Sequence, residues 1–168
     1  MTITDTRDVE ATVAQINALM EAGCDIVRVA VPDKYAGAAL KEIRTRTQAP
    51  LVADIHFDHR LALMAAEAGI DCLRINPGNI GSRERVQEVV RACKERDIPI
   101  RIGVNAGSIQ EAWSKTSAGR PEGDALVEAM VEDALEHVKI LEDMNFDQIK
   151  ISMKFFGQEI LLKIYMKL

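Results

Sequence analysis

The chain has 168 residues, 48% hydrophobic, 28% charged and 4% aromatic, a balance that suits one globular domain with a sizeable core and excludes disorder and collagen-like repeats. Its 21 Lys and Arg against 26 Asp and Glu give a net charge of -5, so no nucleic-acid partner is expected and any cationic site must be local. No apolar run approaches the roughly 20 residues of a membrane span and the acidic start is unlike a signal peptide, so no membrane partner and a cytoplasmic location are expected.

In chain order, Val9, Val13, Ile16 and Leu19 or Met20 recur at helical spacing, with Asp5 or Thr6 as the cap and Gly23 at the end. The β-branched run 25–31 closes on Pro32 and reads as a strand, after which Pro32-Asp33 opens a weakly patterned helix to about Thr47. Pro50 precedes a second strand, 51–57; Asp58 caps a helix over 60–68 that Gly69 ends. A strand over 72–76, the turn Pro77-Gly78-Asn79 and a helix from Ser82 carrying Val86, Val89, Val90 and Cys93 follow. Residues 99–105 form a fourth strand; a polar connection, 106–123, leads to a helix from Asp124 with Val127, Met130, Ala134, Val138 and Leu141; and 148–154 form a fifth strand. Strands each separated by a helix imply a parallel sheet with right-handed crossovers, hence an α/β barrel or an open doubly wound sheet.

Side-chain parity favours the barrel, because successive strand residues point to opposite faces. One face collects Val27, Val29, Val31, Leu51, Ala53, Ile55, Leu73, Ile75, Ile100, Ile102, Val104, Ile149, Ile151 and Met153; the other collects Arg28, Asp54, His56, Arg74, Asn76, Arg101, Asn105, Lys150, Ser152 and Lys154. A sheet covered by helices on both sides wants apolar residues on both faces, whereas a barrel lines its mouth with polar groups.

Asp54 is the one carboxylate on a predicted face that carries Arg28, Arg74, Arg101, Lys150 and Lys154. Like charges this dense are unfavourable unless an anion is expected, and converging guanidinium forks suit a diphosphate better than a lone carboxylate. The bland alternative pairs these arginines with acidic residues from loops or helices, or lets them snorkel to water. His56 and Asp58 end the second strand, the usual place for binding groups in a barrel, where His56 can donate a hydrogen bond or shuttle a proton. His59 and His137 read as helix-surface residues. Asn76, Asn79 and Asn105 end strands in Gly-bearing turns and fit either turn chemistry or substrate contacts. Trp113 fits a lid element or a packing plug. The isolated glycines make no dinucleotide fingerprint, and Cys24, Cys72 and Cys93, odd in number and without a CxxC pair, read as packing residues rather than metal ligands.

The blocks Asp25-Ile-Val-Arg-Val29, Pro50-Leu-Val-Ala-Asp-Ile-His-Phe-Asp58, Asp71-Cys-Leu-Arg-Ile-Asn-Pro-Gly-Asn-Ile-Gly81, Ile98-Pro-Ile-Arg-Ile-Gly-Val-Asn-Ala-Gly-Ser108 and Asn145-Phe-Asp-Gln148 together closely resemble the bacterial 4-hydroxy-3-methylbut-2-enyl diphosphate synthase family. The resemblance implies an iron-sulfur oxidoreductase of non-mevalonate isoprenoid (terpenoid) biosynthesis, built on a TIM (β/α)8 barrel that binds 2-C-methyl-D-erythritol 2,4-cyclodiphosphate. It opens the ring and removes a hydroxyl reductively, consuming two electrons from flavodoxin or ferredoxin. A separate C-terminal domain holds a 4Fe-4S cluster, and in the homodimer one subunit's barrel faces the other's cluster domain. The diphosphate cradle would match Arg28, Arg74, Arg101 and the Lys150/Lys154 region, with Asp54, His56, Asn76 and Asn105 against the sugar-derived part.

The expected organisation is a partial TIM barrel over 1–154, with about five of eight strands, the first and last strands missing, and a divergent tail over 155–168 that suggests truncation or a frameshift. The cluster domain and its ligands are expected to be absent from this chain. Five strands cannot close a barrel, and open edges carry unpaired backbone groups, so the chain by itself is expected to fold poorly or associate and to lack the reductive activity. The alternative function is a non-catalytic phosphate-binding fragment or degraded gene product.

Overall fold

The computed structural model describes residues 1–107, 109–110 and 121–168. The alternation runs α1 (Val9–Glu21), β1 (Val27–Ala30), α2 (Lys34–Thr45), β2 (Leu51–Asp54), α3 (His59–Glu67), β3 (Cys72–Ile75), α4 (Pro77–Ile80), α5 (Arg83–Glu95), β4 (Ile100–Asn105), α6 (Gly123–Glu142), β5 (Ile149–Lys154) and α7 (Gln158–Lys167). The sheet takes its strands in chain order, β1-β2-β3-β4-β5. A doubly wound open sheet reverses its order at a switch point, whereas a barrel does not, so the order settles the choice that parity had favoured. Among the described residues, no helix is long and apolar enough to cross a membrane.

In the compact unit Met1–Arg101, β1, β2 and β3 are parallel, with Val27 opposite Leu51, Ala30 opposite Asp54, and Asp54 opposite Arg74. Leu73 N–H donates to Pro99 O at 3.1 Å where β4 begins. The apolar parity face is buried throughout, from Val27 and Val29 to Leu73, Ile75 and Ile100. It is completed by Val13 and Ile16 of α1, Leu40 and Ile43 of α2, Leu61 and Ala65 of α3, and Val86, Val89 and Val90 of α5. Close approach of α2 to α3 depends on Gly37, where a Cβ would lie 3.1 Å from the Met64 methyl carbon.

Local signals start these helices. The cap of α1 is Asp8, which accepts from Ala11 N–H at 3.0 Å; the expected caps are used elsewhere, Asp5 by Arg7 and Thr6 by the Ala30 carbonyl at 2.7 Å. Asp33 accepts from both Tyr35 N–H and Ala36 N–H at 2.9 Å, and Asp58 from Arg60 N–H. The expected turn 77–79 is instead the single-turn helix α4, in which Asn79 and Ile80 N–H donate to Asn76 O.

The outer edge of β1 is partly occupied. Thr2 N–H donates to Arg28 O at 2.9 Å, the Thr6 hydroxyl takes Ala30 O, and Gln15 of α1 holds the Ile3 and Thr4 amides through its Oε1. The segment before α1 thus satisfies backbone acceptors that the sequence reading expects to be open.

In the unit Ile102–Leu168, α6 packs on β5 and α7. Residues 158–167 of the expected divergent tail form α7, with Ile164 fully buried. Lys163 Nζ donates to Asp124 at 2.9 Å, Lys167 pairs with Glu128, and the Tyr165 hydroxyl accepts from Met153 N–H of β5 at 3.0 Å. His137 is a correction to the surface reading. It is 6% exposed, on the stripe Val127, Met130, Ala134, His137, Leu141, while Val138 is only half-buried. Spacings of three and four put residue 137, not 138, on the inner face. Its Nδ1 lies 3.5 Å from Asp133 and has no hydrogen-bond partner among the described residues, and burial pushes the Asp133 carboxyl upward against the opposing pull of His137.

Candidate functional site

Asp54, the last residue of β2, is placed by register directly opposite Arg74 of β3. Arg74 Nη1–H donates to Asp54 Oδ1 at 2.8 Å, and Arg28 Nε of β1 faces Oδ2 at 3.5 Å. The Asp54 side chain is only 5% exposed. Two guanidiniums thus share one buried carboxylate, which leaves one positive charge in excess. An isolated carboxylate at this depth would be costly, and two charge-assisted contacts offset that cost. The acidic partner of Arg28 and Arg74 is a strand residue that the two share, not one from a loop or helix.

His56 lies just beyond the end of β2. Its Nε2 is 3.7 Å from Asp54 Oδ1, its side chain is 51% exposed, and its ring sits beside that of Phe57 with centroids 5.9 Å apart. An exposed imidazole next to a buried carboxylate can donate a hydrogen bond or carry a proton to a bound molecule. Phe57, an exposed aromatic at the same strand end, escapes a reading based on charge; the signal was its place in the alternation after His56. Asp58 does not join this group. Its carboxylate caps α3 and is gripped by Arg60, whose guanidinium holds it down to about 2.

The structure therefore brings together Arg28, Asp54, His56 and Arg74 within the first unit. Asn76, half-buried, follows β3 and uses its carbonyl to start α4. Arg101, half-buried, lies in β4. In the second unit Asn105 Oδ1 accepts from Gly107 N–H at 3.2 Å, which is turn chemistry of the kind expected of Asn. Lys150 and Lys154 are exposed on one parity face of β5. His59 lies between Asp58 and Glu88, at 3.6 Å and 3.4 Å. Trp113 and Ser108 lie outside the described residues.

The cysteines follow their packing reading in unequal measure. Cys72 and Cys93 are buried, and burial pushes the Cys93 thiol up to about 12; half-buried Cys24 points its sulfur at Ile26 O, 3.2 Å away.

Comparison with known proteins identifies the family and the fold. The family model of the GcpE TIM-barrel domain matches residues 1–168. Relatives named 4-hydroxy-3-methylbut-2-en-1-yl diphosphate synthase (flavodoxin) are 59% identical over 168 residues in a Nitratiruptor species and 59% identical over 165 residues in Clostridium perfringens (strain 13 / Type A). These alignments cover 100% and 98% of this chain and 46% of each relative, so the chain spans less than half the length of the curated relatives it matches. Among solved structures, a prolidase complexed with N-methylphosphonate-L-proline aligns with a TM-score of 0.57 at 9% identity, over 90% of this chain and 39% of its own. A mandelate racemase/muconate lactonizing enzyme from Jannaschia sp. CCS1 aligns with a TM-score of 0.55 at 10% identity, over 90% and 33%; both likenesses concern the fold alone. A profile matched from the first residue to the last, on a sheet whose strands run in barrel order, shows that this chain belongs to the GcpE family through its TIM-barrel domain.

Proposed function

We propose that the chain supplies the diphosphate-binding part of a 4-hydroxy-3-methylbut-2-enyl diphosphate synthase, a cytoplasmic iron-sulfur oxidoreductase. The reaction is the two-electron ring opening and dehydroxylation of 2-C-methyl-D-erythritol 2,4-cyclodiphosphate, with flavodoxin or ferredoxin as electron donor and a homodimer as the working assembly. The observation that supports this reading is the pair of guanidiniums, from β1 and β3, sharing the buried carboxylate that ends β2. Each guanidinium has five N–H donors. Arg74 is hydrogen-bonded to Asp54 through Nη1 and Arg28 faces it through Nε, and the other donors of each fork are assigned to phosphate oxygens. His56 is assigned to a hydroxyl of the sugar-derived part, on its exposure beside Asp54. Asn76, Arg101 and Asn105 are assigned as further contacts through their match to the family's blocks, and Lys150 and Lys154 through the overall resemblance.

The 4Fe-4S cluster does not fit the residues described. Iron needs thiolate ligands, but burial holds the Cys93 thiol protonated and Cys72 is buried beside it. No group of three His, Cys, Asp or Glu converges among the described residues. The chain's own contribution is therefore to bind and orient the substrate.

Titration calorimetry of the 168-residue chain with the cyclodiphosphate tests the reading. Arg74→Ala should lose about 1.5 to 3 kcal/mol of binding, the range for a hydrogen bond to a charged group. Unchanged affinity in Arg74→Ala and Arg28→Ala, or no heat with the parent chain, would overturn it.

A further inference from the structure

Asp54 commits both carboxylate oxygens to cations, Oδ1 to Arg74 and Oδ2 to Arg28. With its side chain 5% exposed, it has little surface to offer a ligand. A buried carboxylate next to an anionic ligand also opposes binding by Coulomb repulsion. Charge alone therefore argues against Asp54 at this place, and its presence requires a compensating effect. That effect follows from flexibility. Two unpartnered guanidiniums on the strands either side of β2 repel one another and sample many rotamers, and ordering them on binding costs affinity. A carboxylate between them removes the repulsion and holds both forks before a ligand arrives, while the remaining N–H donors of each fork stay usable.

We propose that Asp54 is a positioning residue and not a substrate contact: its carboxylate sets the separation of the Arg28 and Arg74 forks, which makes the site specific for linked phosphates over a single phosphate. This deepens the substrate-binding reading above and rests on it for the identity of the natural ligand.

The test uses the 168-residue chain with inorganic pyrophosphate and inorganic phosphate as calorimetric probes, beside the cyclodiphosphate. Asp54→Asn removes the charge and keeps the shape; Asp54→Glu keeps the charge and shifts it by one methylene. Positioning predicts that Asp54→Asn weakens pyrophosphate about tenfold, as loss of a supporting interaction commonly does, while phosphate binding is unchanged or tighter. Asp54→Glu should also weaken pyrophosphate, which a pure charge effect would not do. The guanidinium NMR signals of Arg74, resolved when its Nη groups are held, should merge in Asp54→Asn; a merely structural role, checked by an unchanged circular dichroism spectrum, would leave them resolved. Pyrophosphate bound as tightly by Asp54→Asn as by the parent, or not bound by the parent, overturns the proposal. If Asp54→Asn fails to fold, Asp54→Glu decides alone: undiminished pyrophosphate binding overturns positioning. Pyrophosphate results as predicted, with no uptake of the cyclodiphosphate by the parent, uphold positioning and overturn the substrate reading instead.

Discussion

β3 and β5 carry the same alternation of apolar and cationic residues, yet the fold treats them differently. In β3, Leu73 and Ile75 are fully buried and Arg74 between them is half-buried and hydrogen-bonded to Asp54. In β5, Ile149 and Ile151 are only half-buried, Met153 alone is buried, and Lys150 and Lys154 are exposed. Alternation fixes which face a side chain takes; how deeply that face is covered depends on the neighbours a strand acquires. β3 lies between two strands, and β5 is the last in the sheet order. The helices differ in part along the same line. Asp8, Asp33 and Asp58 cap α1, α2 and α3 with side-chain hydrogen bonds, whereas Ser82, Glu122 and Gly157, at the starts of α5, α6 and α7, make none to the described residues.

The two cores should differ most in the cost of truncation. Leu73→Ala should cost about 2–5 kcal/mol of stability in urea unfolding, the range for a buried leucine, and Ile151→Ala about 1 kcal/mol, because less area leaves water there. Equal costs would mean that the two strands are buried alike in solution. Next, Asp33→Ala removes an acceptor shared by two amides at 2.9 Å and should cost about 1 kcal/mol.

Acid should separate the capped helices further. Arg60 holds the Asp58 carboxyl at about 2 in the folded chain, against its ordinary 3.8. A carboxyl depressed by folding stabilises the folded chain fully above pH 3.8, and that contribution fades as pH falls through about 2. Asp58→Asn should therefore reduce the loss of stability over that interval, read as the thermal midpoint against pH, and an unchanged acid limb would place the pair apart. The smallest effect sharpens the contrast. Glu122 has the extended backbone of a cap but its side chain makes no cap hydrogen bond to the described residues, so Glu122→Ser should add a few tenths of a kcal/mol, visible as a small rise in the urea midpoint.

Much of the candidate site was legible in the residues. Arg28, Asp54, His56 and Arg74 share one parity, and a charged group inside an apolar strand is a strong signal because it is costly there. The sharing of Asp54 was not legible, since it depends on register: Asp54 sits opposite Arg74, while Arg28 reaches it from two residues below its neighbour Ala30. The cap of α1 was misread for a related reason. Asp5, Thr6 and Asp8 are all good caps by type, and only the path of the chain along β1, with Thr6 bound to Ala30 O, leaves Asp8 at the helix start. His137 shows the reverse case, where the three-and-four spacing was present but residue type prevailed over position.

Periodicity, turn residues and the cost of charge among apolar neighbours already dictate the succession of strands and helices, the two-faced strands and the concentration of cations on one face. Strand order, the pairing of one carboxylate with two arginines, the burial of His137 and the occupation of the β1 edge by residues 2–6 emerge with the packed fold. Those features join residues distant along the chain, and local preference carries no information about which distant groups come within reach.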